Sequence, residues 1–209
     1  MQFVIPRLYA VIDPVQAGGR SSLEVAGILL AAGVRLIQFR DKLASSGELW
    51  ARAQQLAACV HQSHGIFMVN DRADIARAVD AGGVHLGQED LPVEDARRIL
   101  GPAQWIGYST HVLEQVREAD HTSADYIAFG PIFPTASKQN PDAVVGVEGL
   151  RAARRATRKP LVAIGGITVQ NARAVMEAGA DSVAIIRGLV GAPDIRQRAE
   201  EFLKVLGVC

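Results

Sequence analysis

The segment Gln38-Phe39-Arg40-Asp41-Lys42 places an amide and two cations at alternate positions. In an extended chain alternate side chains share a face. Gln38, Arg40 and Lys42 would then point one way, as a grip on a phosphate-bearing group would require. A solvated strand end carries the same residue types. Further along stand Asn70-Asp71 and His85-Leu86-Gly87-Gln88-Glu89-Asp90. Two carboxylates at neighbouring strand ends can share a hard divalent cation, and Mg²⁺ takes one or two carboxylates while substrate phosphates fill other positions. Asp71 and Asp90 are the candidates, with a helix N-cap and a plain turn residue as their alternative roles. His85 reads as a hydrogen-bonded core or rim histidine.

Hydroxyls and glycines complete the set. Gly107-Tyr108-Ser109-Thr110-His111 offers Ser109. The stretch Gly130-Pro131-Ile132-Phe133-Pro134-Thr135-Ala136-Ser137-Lys138 sets Thr135 and Ser137 beside Lys138 and runs on through Gln139-Asn140-Pro141. That loop suits a lid over a phosphorylated ligand. Gly165-Gly166-Ile167 and Ile186-Arg187-Gly188 have the glycines with which barrels often expose backbone N–H groups to phosphate, although tight turns use glycine too. No Ser-His-Asp or Cys-His set offers a nucleophile, and no mid-strand Lys suggests a Schiff base. The chemistry implied is the handling of phosphate charge with a metal.

These groups need elements to carry them. Apolar runs at 8–12, 35–40, 66–70, 83–87, 105–109, 126–130, 160–165 and 182–187 are continuous rather than alternating, as in strands buried on both faces of a parallel sheet. Between them, 23–32, 48–62 and 169–178 show helical spacing,. Gly33 and Gly179 close two helices and Thr168 precedes a third. Eight such strands fit a single (β/α)₈ TIM barrel over residues 1–209, with the active site at the C-terminal ends of the strands,. The polar groups do gather where each run stops. A doubly wound open sheet is the rival fold, but the first turn reads Asp13-Pro14-Val15-Gln16 rather than a Gly fingerprint,.

The 209 residues carry 22 basic and 22 acidic side chains, for a net charge of 0. Such a chain has no global electrostatic footprint for nucleic acid or a membrane surface. The 49% hydrophobic content excludes disorder,. No apolar stretch approaches the ~20 residues of a membrane span, and the N-terminus lacks a signal-peptide pattern. Cys59 and Cys209 read as reduced thiols. A cytoplasmic protein is expected. A homo-oligomer stays open, because sequence does not separate an exposed apolar helix face from a buried one.

The series Gln-x-Arg-x-Lys, Asn-Asp, His-x-Gly-Gln-x-Asp, Gly-x-Ser, Gly-Pro-x-x-Pro-Thr-x-Ser-Lys and Gly-Gly-Ile resembles the thiamine-phosphate synthase family along essentially the whole chain. The resemblance implies a Mg²⁺-dependent barrel. It would join an aminopyrimidine diphosphate to a thiazole monophosphate, giving thiamine phosphate and pyrophosphate by a largely dissociative substitution. It further implies that Asp71 and Asp90 hold the Mg²⁺, and that Arg40, Lys42, Asn70 and Lys138 bind the pyrophosphate. Gln38 and Ser109 would address the pyrimidine or its leaving group. Thr135, Ser137 and the backbone at Gly166, Ile186 and Arg187 would hold the thiazole phosphate.

Arg187 departs from the small residue that is common there; a backbone contact would tolerate it and the guanidinium could add a phosphate contact. Asp41 replaces the usual Glu and is expected to point away from the cations. The alternatives are a sister thiazole tautomerase, against which Pro131 stands where that family carries His, and a non-catalytic phosphate-binding barrel. A sugar-phosphate isomerase would need a matched acid/base pair that the sequence does not offer.

Overall fold

In the computed structural model, which describes residues 4–135 and 143–208, each apolar run forms a strand. The strands are β1 (Leu8–Ile12), β2 (Leu36–Phe39), β3 (Ile66–Asn70), β4 (Gly83–Leu86), β5 (Trp105–Thr110), β6 (Tyr126–Phe129), β7 (Leu161–Ile164) and β8 (Ser182–Ile185). All neighbouring pairs are parallel, and β1 pairs with both β2 and β8, so the sheet closes in sequence order. The expected (β/α)₈ barrel is the fold. Some predicted strands overran by one or two residues at their ends. Arg40 lies just past β2, yet its N–H still reaches the carbonyl of Ile12 at 2.9 Å.

The helices among the described residues are α1 (Ser22–Ala31), α2 (Ser46–Gln62), α3 (Ala73–Ala78), α4 (Val93–Leu100), α5 (Leu113–Asp120), α6 (Gly146–Ala156), α7 (Val169–Glu177), α8 (Arg187–Val190) and α9 (Ile195–Val205). Helix α2 begins two residues before the sequence pattern placed it, because Ser45 caps it: the Ser45 N–H donates to Glu48 Oε2 at 2.9 Å and Glu48 N–H donates back to Ser45 Oγ,. Gly33 and Gly179 follow α1 and α7 with φ of 100° and 106°, left-handed backbone that glycine adopts without strain,.

Two apolar clusters divide the interior. The larger lies between strands and helices and includes Ile37, Phe67, Val84 and Ile127. The smaller fills the barrel lumen with Tyr9, Val11, Leu36, Met68, Tyr126, Ala128, Val162 and Ala184. Period-two alternation therefore sends Leu36 and then Gln38 into the lumen, and Ile37 and Phe39 outward.

The N-terminal end of the barrel is tied by two aspartates that occupy equivalent places. Asp125, just before β6, accepts from Arg97 Nη2 at 2.6 Å and from the Ile106 N–H at 2.7 Å. Asp181, just before β8, accepts from Arg154 Nη1 and the Leu161 N–H, both at 2.8 Å. Each thus joins a helix to the sheet. Removing the acceptor strands a backbone donor and takes the carboxylate from a half-buried guanidinium that keeps only its backbone carbonyl partners, which costs about 2 kcal/mol. Asp125→Ala should lower the melting temperature by about 6 °C and leave turnover by the folded protein unchanged, since the residue lies at the end away from the mouth. An unshifted melting curve would show the tie to be dispensable.

Candidate active site

Asp71 follows β3 with φ of 63°, an uncommon backbone for a residue with a Cβ and one Asp tolerates better than most,. Its N–H donates to the carbonyl of His85 at 2.8 Å, which fixes the turn against β4. It is not the cap of α3, which begins two residues later behind Arg72. Asp90 closes the turn after β4, where its Oδ2 accepts from the Gly87 N–H at 2.7 Å. The two carboxyls lie within hydrogen-bonding reach of each other. Burial, and then the Asp71 carboxyl beside it, push the Asp90 carboxyl above the ordinary range, while Lys42 opposes this,. Lys42 Nζ stands 2.9 Å from Asp71 Oδ2.

Two adjoining carboxyls, with Asp90 pushed upward by burial and by Asp71, form a site that favours a cation,. Their hard oxygens suit Mg²⁺, which needs no third carboxylate when phosphate oxygens and water complete an octahedron. Among the described residues there is no cluster of three or more His, Cys, Asp or Glu that could hold a metal. The pair fits a shared, substrate-completed Mg²⁺ better than an all-protein cage.

Arg40 is ion-paired with Asp13, a buried residue at the end of β1 whose Oδ1 also accepts from the Val15 N–H at 3.0 Å. Asp41 points away from the mouth, as expected: its Oδ2 meets Arg52 Nη1 of α2 at 2.6 Å. Asn70 ends β3, partly buried. The mouth therefore has Arg40 and Lys42 on one side, each held by a carboxylate, with the Asp71–Asp90 pair beside them.

Below the mouth a chain of hydrogen bonds crosses the lumen. Gln38 Nε2 donates to Tyr9 Oη at 2.7 Å, and Tyr9 Oη meets Tyr126 Oη at 2.9 Å. Tyr126 Oη meets His85 Nδ1 at 3.0 Å, and His85 Nε2 meets Ser109 Oγ at 2.8 Å. Burial pushes both phenols well above their ordinary range, so each keeps its proton at neutral pH,. Gly107 lies between His85 and Tyr126 in the strand register. A Cβ there would fall 2.0 Å from Tyr126 Cζ and 2.5 Å from His85 Nδ1. The bond from β4 to β6 passes over β5 because this residue has no side chain.

The rim on the far side is built by the ends of β6, β7 and β8. The N–H groups of Ile132 and Phe133 donate to the carbonyls of Ile164 and Gly165 at 2.9 and 3.0 Å. Gly166 has φ of 63°, and a Cβ on it would lie 2.5 Å from the carbonyl oxygen of Pro134, so this close approach also requires glycine,. Thr135 is partly buried here. Ile186 caps α8, and Arg187 opens that helix with an exposed side chain. Ser137 and Lys138, with most of the expected lid over 134–141, fall outside the described residues.

The contacts gather the expected residues in three sets: Arg40 with Asp13, Lys42 with Asp71 and Asp90, and Gln38 linked to Ser109 through Tyr9, Tyr126 and His85. Sequence reasoning missed three of those partners. Asp13 was read only as a turn residue, and Tyr9 and Tyr126 as apolar strand positions. A glycine in the middle of an apolar strand, Gly107, was the signal that something approaches closely there. His85 is the hydrogen-bonded core histidine that the sequence suggested.

The family model described as thiamine monophosphate synthase matches residues 8–189 of the chain. A thiamine-phosphate synthase of Koribacter versatilis is 49% identical over 206 residues, covering 97% of this chain and 96% of the relative. One of Moorella thermoacetica is 42% identical over 199 residues, covering 95% of each. The solved structure of a thiamine phosphate pyrophosphorylase from Pyrococcus furiosus superposes with a TM-score of 0.87 at 37% identity, covering 96% of this chain and 95% of that one.

Proposed function

Because the chain belongs to the thiamine monophosphate synthase family, we propose that it joins an aminopyrimidine diphosphate to a thiazole monophosphate, releasing thiamine phosphate and pyrophosphate. The substrates are the 4-amino-2-methyl-5-hydroxymethylpyrimidine diphosphate and the 4-methyl-5-(2-phosphoethyl)thiazole of the reaction that the family resemblance implies. The observation that supports this most directly is the adjoining pair Asp71 and Asp90, with Lys42 in ion-pair contact at 2.9 Å.

In this reaction the exocyclic C–O bond of the pyrimidine breaks and its electron pair leaves with pyrophosphate. The thiazole nitrogen lone pair then forms the C–N bond, so no base is needed and the product carries the thiazolium charge. The aminopyrimidine ring can carry positive charge at the exocyclic carbon, which makes the substitution largely dissociative. Asp71 and Asp90 would hold Mg²⁺, which when bound neutralises charge on the leaving group. Arg40, Lys42, Asn70 and Lys138 bind the pyrophosphate; Arg40 and Lys42 exchange carboxylate partners for phosphate oxygens as it develops charge. Gln38 and Ser109 face the pyrimidine. Thr135, Ser137 and the backbone at Gly166, Ile186 and Arg187 hold the thiazole phosphate and so align the nitrogen for attack. Both substrates are phosphorylated and confined to the compartment that makes them, which supports a cytoplasmic enzyme. Among the described residues no helix is long and apolar enough to cross a membrane.

The test is to incubate the purified protein with both substrates and Mg²⁺ and to quantify thiamine phosphate and pyrophosphate. Equimolar products that vanish with EDTA are expected. A folded protein that forms neither would overturn the reading and leave the tautomerase or phosphate-binding barrel in its place. Electron-withdrawing substituents on the pyrimidine should slow the reaction; a rate indifferent to them would exclude a dissociative path.

A further inference from the structure

Gln38 and Ser109 stand on β2 and β5 and are the two ends of the hydrogen-bond chain through Tyr9, Tyr126 and His85. The hydrogens along this chain can be counted. Gln38 presents Nε2 to Tyr9 Oη, and an amide nitrogen can only donate,. The Tyr9 phenol has a single hydrogen, and its other neighbour in the chain is Tyr126 Oη at 2.9 Å, so that hydrogen goes to Tyr126. Tyr126 in turn has one hydrogen and gives it to His85 Nδ1 at 3.0 Å. His85 is then the neutral tautomer with its proton on Nε2, which donates to Ser109 Oγ at 2.8 Å. Every bond runs the same way, from Gln38 to Ser109.

This direction decides what the two ends show to a ligand. Gln38 spends one N–H on Tyr9, which leaves Oε1 as an acceptor and the second N–H as a donor, each at a fixed place; Ser109 accepts from His85 and keeps its hydroxyl hydrogen to donate,. We infer that Tyr9, Tyr126 and His85 are positioning residues whose hydrogen-bond chain fixes the orientation of the Gln38 amide, and so the place of its acceptor Oε1, and leaves Ser109 a donor, and thereby selects an amino- over an oxo-pyrimidine. The inference rests on the proposed function for the identity of the reaction. An aminopyrimidine brings an exocyclic N–H donor and ring-nitrogen acceptors. In the oxo analogue the exocyclic group becomes an acceptor and one ring nitrogen a donor. To greet it, the Gln38 amide would have to turn over, its oxygen would then face Tyr9, and all the phenol and imidazole hydrogens would have to reverse. A site whose buried partners would be left mismatched rejects such an analogue far more strongly than shape alone allows.

Gly107 is a second and independent sign that the chain is built into the fold. A side chain at this position would occupy the space through which His85 and Tyr126 meet.

Two measurements test the inference. In protein labelled with ¹⁵N-histidine, His85 should show the Nε2–H tautomer, assigned by comparison with His85→Gln. The Nδ1–H tautomer, or an imidazolium at neutral pH, would overturn the proposal. Separately, the oxo counterpart of the pyrimidine diphosphate is titrated as a competitive inhibitor, and its inhibition constant is divided by the KM of the amino substrate. Tyr9→Phe removes the hydroxyl that holds the amide, so this ratio should fall about tenfold, as should that of Tyr126→Phe, while the KM for the thiazole phosphate stays put. A ratio equal to wild type in both variants would reduce the chain to packing and sink the idea. Wild-type protein with the Nε2–H tautomer but no turnover would overturn the synthase reading itself, and the selection with it. Turnover combined with the Nδ1–H tautomer would overturn the inference alone.

Discussion

Replacing either Asp71 or Asp90 by Ala lowers the rate of thiamine phosphate formation by about three orders of magnitude, equivalent to about 4 kcal/mol of transition-state stabilisation. The size follows from where charge develops. A departing pyrophosphate concentrates negative charge beside Lys42 and Arg40, and each carboxylate contributes to holding the cation that offsets it. The carboxyls are mutually unfavourable without that cation, since Asp71 helps to push Asp90 above its ordinary range. Removing one therefore relieves a repulsion, and this offsets what each variant loses: Asp71→Ala forfeits the weak Lys42 contact, more than half exposed on the lysine side, at a backbone position of positive φ, and Asp90→Ala forfeits the bond from the Gly87 N–H,. The folded state should lose no more than about 2 kcal/mol. Loss of rate far beyond the small drop in denaturation midpoint is the expected pair of results. Steady-state rates across a Mg²⁺ titration, together with urea unfolding, measure both. Activity within tenfold of wild type at saturating Mg²⁺ would remove the carboxylate pair from the metal reading.

Gly107→Ala is the second large effect, and here stability and activity fall together. The new methyl carbon would sit 2.0 Å from Tyr126 Cζ and 2.2 Å from its Oη, where van der Waals contact needs well over 3 Å,. Tyr126 is fully buried between the lumen residues, with a close edge-on contact to Tyr9, and cannot swing aside. Overpacking of this kind costs about 3 kcal/mol. The shift that relieves it also parts His85 from Tyr126, so kcat/KM for the pyrimidine substrate should fall by about a hundredfold with little change in the KM for the thiazole phosphate. Gly27→Ala is the comparison: that glycine lies in α1, where an added Cβ would meet nothing within 4 Å beyond its chain neighbours and its own helix backbone, and Ala there should be neutral or stabilising by up to about 1 kcal/mol,. Urea midpoints for the two variants give the contrast, and a Gly107→Ala protein as stable as wild type would show that the lumen is looser than its geometry implies.

The barrel was legible in the sequence because a parallel sheet covered by helices writes its strands as continuous apolar runs, and the gaps between them carry helical spacing and glycine stops such as Gly33 and Gly179. The mouth was legible for a related reason: Arg40 and Lys42, Asn70-Asp71, and Asp90 each follow the end of a run, where the topology forces them to one face. Helix α2 began earlier than its apolar spacing suggested because a capping serine, not a hydrophobic residue, starts it.

What the sequence by itself determined is therefore the order of elements and the strand ends at which charge is allowed. Only the tertiary structure decided the partnerships. Tyr9 and Tyr126 are 117 residues apart, His85 and Tyr126 are 41, and Asp13 and Arg40 are 27. No local pattern marks such pairs, since each side chain obeys only the alternation of its own strand. Closure of β8 onto β1 and the stagger between strands bring particular inward positions to the same height in the lumen. There, buried phenols, an imidazole and an amide must satisfy one another because water is excluded.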